Sequence, residues 1–164
     1  MSTVLMPRTA TVLLFQGDDL AKIAELRKAA EAEQSDTRLM GELSAAQEHD
    51  EFVKEAEARA VRVVLKALGR KQWRNLVADH PPRKGVESDK ALGVNDETFG
   101  DALVLASLEE PEFASTGDAE EFLDSLRSAD FDQLYHAAFA LNRFQADAPK
   151  ADLTSRLTRT SDET

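Results

Sequence analysis

The apolar positions recur at helical spacing along most of the chain, and only one short stretch near the start reads as a strand. Thr9-Ala-Thr-Val-Leu-Leu-Phe-Gln16 is rich in β-formers and bounded by Pro7 and Gly17, which predicts a strand. Gly17-Asp18-Asp19 then opens a helix, because an acid at the start satisfies orphan N–H groups and suits the helix dipole. Leu20, Ile23, Ala24, Leu26 and Ala30 give that helix one apolar side. Ser35 to Gly41 is a polar connection. From Ser44 a long helix is predicted, in which Phe52, Val53, Ala56, Ala60, Val63, Val64 and Ala67 keep a helical repeat. Its second half, Arg59 to Leu68, is apolar around nearly the whole circumference, as in a buried central helix. The exceptions, Arg59, Arg62, Lys66 and Arg70, fall three, four and four apart and would form one wet stripe.

Gly69 weakens or ends that rod. Trp73, Leu76 and Val77 restart an apolar face, with His80 as the helix's last residue, and Pro81-Pro82 stops it. Lys84 to Lys90 is charged and lacks bulky apolar residues, so it reads as a loop. Asn95 caps a helix whose buried side is Phe99, Ala102, Leu103, Ala106 and Leu108, ended by Pro111. Asp118 to Glu121 reads as a capping box for a helix bearing Phe122, Leu123 and Leu126. Ser128 starts the last helix, with Phe131, Leu134, Tyr135, Ala138, Phe139 and Leu141. After Phe144 the apolar pattern fades. The expected fold is mainly α: a short N-terminal strand or arm (1–16), a compact multi-helix domain (17–146) and a disordered C-terminal tail (147–164). A hairpin between Thr3–Met6 and the strand is one arrangement of the arm. A strand with no partner in its own chain would be a template for another copy, hence a homo-oligomer through the N-terminal strand.

Charge and composition narrow the functional classes. The chain has 164 residues, no cysteine and a net charge of −11. Disulfides and thiolate metal sites are excluded, which fits a reducing compartment. No stretch approaches the roughly 20 apolar residues of a membrane span, and the start carries no pattern of a secretory signal. General nucleic-acid binding is disfavoured by the negative charge. The charge is uneven, however. Lys54 to Lys84 holds nine Lys/Arg against three acids, so it is +6 and the remainder −17. A basic centre in an acidic envelope implies internal pairing, or a docking strip for an acidic partner.

Candidate chemistry is sparse. His49, His80 and His136 have no second histidine at metal-ligand spacing. Gly69-Arg-Lys-Gln lacks the second glycine and the Lys-Ser/Thr pair of a phosphate loop, and no Gly-x-Ser-x-Gly elbow occurs. Acids are abundant but sit at caps and on solvated helix faces. The expectation is a non-enzyme with no catalytic residue, metal or cofactor. Trp73 reads either as core or as a binding hot spot.

The run Trp73-x-x-Leu76-x-x-x-His80-Pro-Pro-Arg83 resembles the hallmark of tail assembly chaperones from tailed phages and prophages of actinobacteria. The resemblance continues through Asp89, Gly93-Val-Asn95 and Phe99, then Phe122-Leu-x-x-Leu126, Asp130-Phe131-x-x-Leu134 and Ala137-Ala-x-x-Leu141-Asn142. Gly17-Asp18 and Glu48-His-Asp-x-x-Val-x-Glu-Ala56 belong to it too, so it spans about residues 16–144. The order of the pieces, rather than any one of them, carries it. The resemblance implies a protein of the host cytoplasm that coats the tape-measure protein before the tail tube polymerises around it, and then leaves. Such chaperones are made in a short and a frameshift-extended form; this chain would be the short one. The implied partners are the tape-measure protein and, second, the tail-tube protein, with no nucleic acid and no membrane. The expected contact surface is the Trp73–Arg83 segment (Trp73, Leu76, Val77, His80, Arg83) with the helix from Phe99, and the stripe Arg59, Arg62, Lys66, Arg70 meeting acids on the partner. The main alternative is a phage structural adaptor, at the head–tail joint or in tail completion, retained in the particle.

Overall fold

A computed structural model describes residues 8–35 and 44–143. Among them are a strand β1 (Thr9–Leu14), helices α1 (Asp19–Ser35) and α2 (Ser44–Arg59), and a strand β2 (Val61–Lys66). Then come α3 (Arg70–Asp79), α4 (Glu87–Leu92), α5 (Asp96–Ser107), the short strand β3 (Leu108–Glu110), α6 (Thr116–Asp124) and α7 (Ser128–Arg143). The fold is mainly α, seven helices around a three-stranded sheet among the described residues. The expected hairpin at Thr3–Met6, the connection at 36–41 and the tail at 147–164 lie outside those residues.

The central rod is a correction. Arg59 to Leu68 is not a helix: α2 stops at Arg59 and the chain turns into β2, the middle strand of an antiparallel sheet ordered β1-β2-β3. A short apolar run reads equally as buried helix or buried strand by periodicity alone. Three valines favour the strand, and pairing with a segment some fifty residues upstream decides it. Val61, Val63 and Leu65 oppose Leu14, Val12 and Ala10 and form the core face. Arg62, Val64 and Lys66 oppose Leu13, Thr11 and Thr9 on the other face. Arg62 and Lys66 share a face in either reading, since a spacing of four is one turn of helix and two pleats of strand. The premise of an unpartnered N-terminal strand is corrected as well, because β1 has β2 beside it along all six residues.

Three further boundaries differ. Residues 87–90, the end of the expected loop, belong instead to α4, which Gly93 ends in the left-handed conformation (φ 76°) while its N–H donates to Asp89 O at 2.7 Å. Leu108 leaves α5 to pair with Leu65 in β3. The cap of α6 is Ser115, whose Oγ accepts from Asp118 N–H at 3.2 Å, rather than Asp118 itself. Asn95 caps α5 as expected, accepting from Glu97 N–H at 3.1 Å.

One core holds the sheet to its helices. Val63, Leu65, Leu14, Phe99, Leu103, Val104, Leu134 and Ala138 are all buried in it. Helices α5 and α7 pair with each other and α7 lies on β1 and β2. Polar groups fix the seams. Asn142 Oδ1 accepts from Leu68 N–H at 2.8 Å, tying the exit of β2 to α7. Arg127 donates to Phe15 O at 2.8 Å and pairs with Asp130 at 2.6 Å, tying the exit of β1 to the start of α7. Helices α1 and α2 pack chiefly on each other as a hairpin about Leu26 and Ala56. Arg59 to Asp19 at 3.0 Å closes its base.

Candidate functional site

The Trp73–Phe99 segment forms one interlocked unit. Helix α3 starts at Gly69, whose N–H donates to Gln72 Oε1 at 3.1 Å. One turn in, Trp73 lies half-buried with its ring edge-on to Phe99 (5.8 Å between centroids) and to Phe139 of α7 (6.3 Å). Aromatic edges against faces are a favoured packing. Leu76 and Val77, three and four residues on, pack against the same core.

His80 ends the helix, its N–H donating to Val77 O at 3.3 Å. Its carbonyl accepts from Asn95 N–H at 2.9 Å, its Nδ1 lies 2.9 Å from Thr98 Oγ1, and its ring stands edge-on to Phe99. Pro81-Pro82 cannot continue a helix, so the chain turns and delivers Arg83 to the start of α5. There the Arg83 guanidinium grips Asp89 by two hydrogen bonds, Nε to Oδ2 at 2.8 Å and Nη2 to Oδ1 at 2.9 Å. It also donates to Asp96 and Glu97. Asp89 accepts two backbone N–H groups as well, from Arg83 at 2.8 Å and Asp96 at 3.2 Å.

Asp89 is 0% exposed, and a buried carboxylate survives only when paired and hydrogen-bonded. Hydrogen bonds from the Arg83 side chain hold its carboxyl well below the ordinary carboxylate range, against the opposing pull of burial; the two backbone donors add to the lowering. The same contact raises the Arg83 guanidinium further above its usual value.

The expected contact residues therefore divide. Trp73, Leu76 and Val77 pack half-buried against the core that holds Phe99, His80 stands edge-on to Phe99, and Arg83 stays exposed beside them. Phe99 is 1% exposed, and the Arg83 donors are taken by three carboxylates of the same chain. The basic residues do not form a helical stripe. Arg59 closes α2 against Asp19 and Glu55 and lies over the Phe52 ring. Arg62 and Lys66 stand on the outer face of β2, and Arg70 opens α3. Arg62, Lys66 and Arg70, with Lys71 and Arg74, have no ion pair among the described residues.

The residues that lock the turn, Asp89, Asp96, Glu97 and Thr98, were not singled out as partners of Arg83 or His80 by the sequence pattern. Arg83 has acids 6, 13 and 14 residues downstream, and no periodicity marks those spacings. The histidines fall on separate elements: His49 beside Asp50 on α2 (3.0 Å), His80 at the turn, His136 beside Tyr135 on α7. No group of three or more His, Asp or Glu among the described residues could hold a metal ion, and no helix among them is long and apolar enough to cross a membrane.

A second feature was not legible in the pattern. At the junction of α5, β3 and α6 lies a hollow of about 380 Å³, lined by Leu105, Leu108, Pro111, Phe113 and Ala119. Phe113 rests on Phe122 with ring centroids 5.3 Å apart. Glu109 and Glu112, both exposed, also line it.

No protein family, no curated protein and no solved structure matches the chain in comparison.

Proposed function

We propose that this protein is a non-enzymatic tail assembly chaperone of a tailed phage or prophage, which covers the tape-measure protein in the host cytoplasm until the tail tube forms around it. The observation that carries the reading is the ordered set of residues resembling that family's hallmark, together with how those residues meet. Trp73 touches Phe99, His80 bonds Asn95, and Arg83 bonds Asp89. The pieces between Trp73 and Phe99 meet at a single turn, as a fold signature would. Physical need agrees. A long helical protein with apolar stripes aggregates unless it is covered, and a small protein of net charge −11 keeps such a complex dispersed.

The reading separates from that of a structural adaptor by where the protein ends up. Mass spectrometry of lysates and of purified particles is the test. A chaperone is abundant in the lysate and missing from finished virions. Stoichiometric recovery from virions would replace the chaperone with an adaptor.

A further inference from the structure

We infer that the hollow at the α5–β3–α6 junction is a docking site for a basic amphipathic helix of the partner protein, which places an apolar side chain against Phe113 and its cations against the surrounding glutamates. The inference rests on the chaperone reading only for which protein supplies that helix. The Trp73–Arg83 turn is less suited to the task, since Trp73 and His80 pack on the buried Phe99 and the Arg83 donors are taken by carboxylates of the same chain. The hollow has a mixed lining, in which the half-buried Leu105, Leu108, Pro111 and Phe113 lie beside the exposed Glu109, Glu112, Ser115 and Thr116. Its volume, about 380 Å³, lies within the range of sites that receive a ligand group.

Charge selects the occupant. From Glu109 to Asp124 the chain has seven acids and no Lys, Arg or His. None of the seven forms an ion pair among the described residues. With the unpaired Glu109 and Glu112 in its lining beside apolar side chains, the hollow repels acidic segments and favours an apolar anchor flanked by Lys or Arg. A purely hydrophobic stripe would gain nothing from the rim. An acidic helix would be turned away from this face.

The test is fluorescence anisotropy of the full-length chain with a labelled peptide of about 18 residues, long enough to hold a helix. The peptide has leucine at helical-face spacing and lysine elsewhere. Saturable binding is expected, weakened about tenfold or more by the double change Glu109→Lys with Glu112→Lys. Thr116→Trp, which fills the hollow from an exposed position on α6, should weaken it similarly without altering surface charge. Peptides with Lys→Glu or with Leu→Ser should not bind. Equal binding of the Leu→Ser peptide, or full binding by Thr116→Trp with its melting temperature kept, would overturn the inference. So would self-association of the chain that the double change abolishes, because the hollow would then hold a second copy. Should Thr116→Trp fail to fold, the two control peptides still decide. The outcome is separable from the chaperone reading. If the double change leaves tape-measure solubilisation intact, the docking site is wrong and the chaperone stands. If the peptide binds the hollow but no tape-measure segment is solubilised, the reverse holds.

Discussion

Arg83 and Asp89 are joined three times over: two guanidinium donors and the Arg83 backbone N–H all end on one buried carboxylate. The linkage sign follows from the depressed Asp89 pKa. Its stabilisation is fully present above the unfolded-state value of about 3.9 and is lost as pH falls through the folded value. Thermal melts from neutral pH downwards should show the native chain losing stability below about pH 4. Asp89→Asn should melt lower at neutral pH and lose less on acidification. Parallel curves for the two proteins would remove Asp89 from the account.

Two glycines should respond in opposite directions. Gly100 lies inside α5, where an added Cβ would meet Phe131 and Tyr135 of α7 at 3.6 Å, ordinary contact. Gly100→Ala should stabilise by about 0.5–1 kcal/mol, since alanine costs less than glycine inside a helix. Gly93, at φ 76°, closes α4 in a conformation that a Cβ strains, so Gly93→Ala should destabilise by about 1 kcal/mol. Urea unfolding of both variants is the measurement.

Trp73 separates packing from recognition. Trp73→Ala should cost about 3 kcal/mol and Phe99→Ala about 3–5 kcal/mol, because each removes a ring from the same aromatic contact. A Trp73→Ala protein with unchanged unfolding but abolished partner binding would make the tryptophan a contact residue instead. Chemical denaturation beside a binding assay resolves the two.

Much of the fold was readable. Caps, prolines and helical repeats located α1, α3, α5 and α7, since those signals act within a few residues. The run Val61–Leu65 was not, because a strand buried on its core face and a helix apolar all round share one local pattern, and only pairing with Val12 and its neighbours tells them apart. Residues 87–90 escaped because α4 is short and charged and carries no apolar stripe, and because Asp89 pairs with an arginine outside the helix at a spacing that no helical period marks. At the site, the conjunction of Trp73, His80, Arg83 and Phe99 was legible as a motif. Its inward direction was not, because that depends on Asp89, Asp96 and Thr98 arriving from the following helices. The hollow left only an acidic run and a lone Phe113 as its trace in the sequence.

The most direct measurement is co-expression with a fragment of the tape-measure protein it is proposed to serve, followed by separation of soluble and pelleted material. The account predicts that the fragment aggregates alone, becomes soluble with this chain, and elutes with it as one complex. A fragment that stays in the pellet while this chain remains soluble and folded beside it would contradict the account.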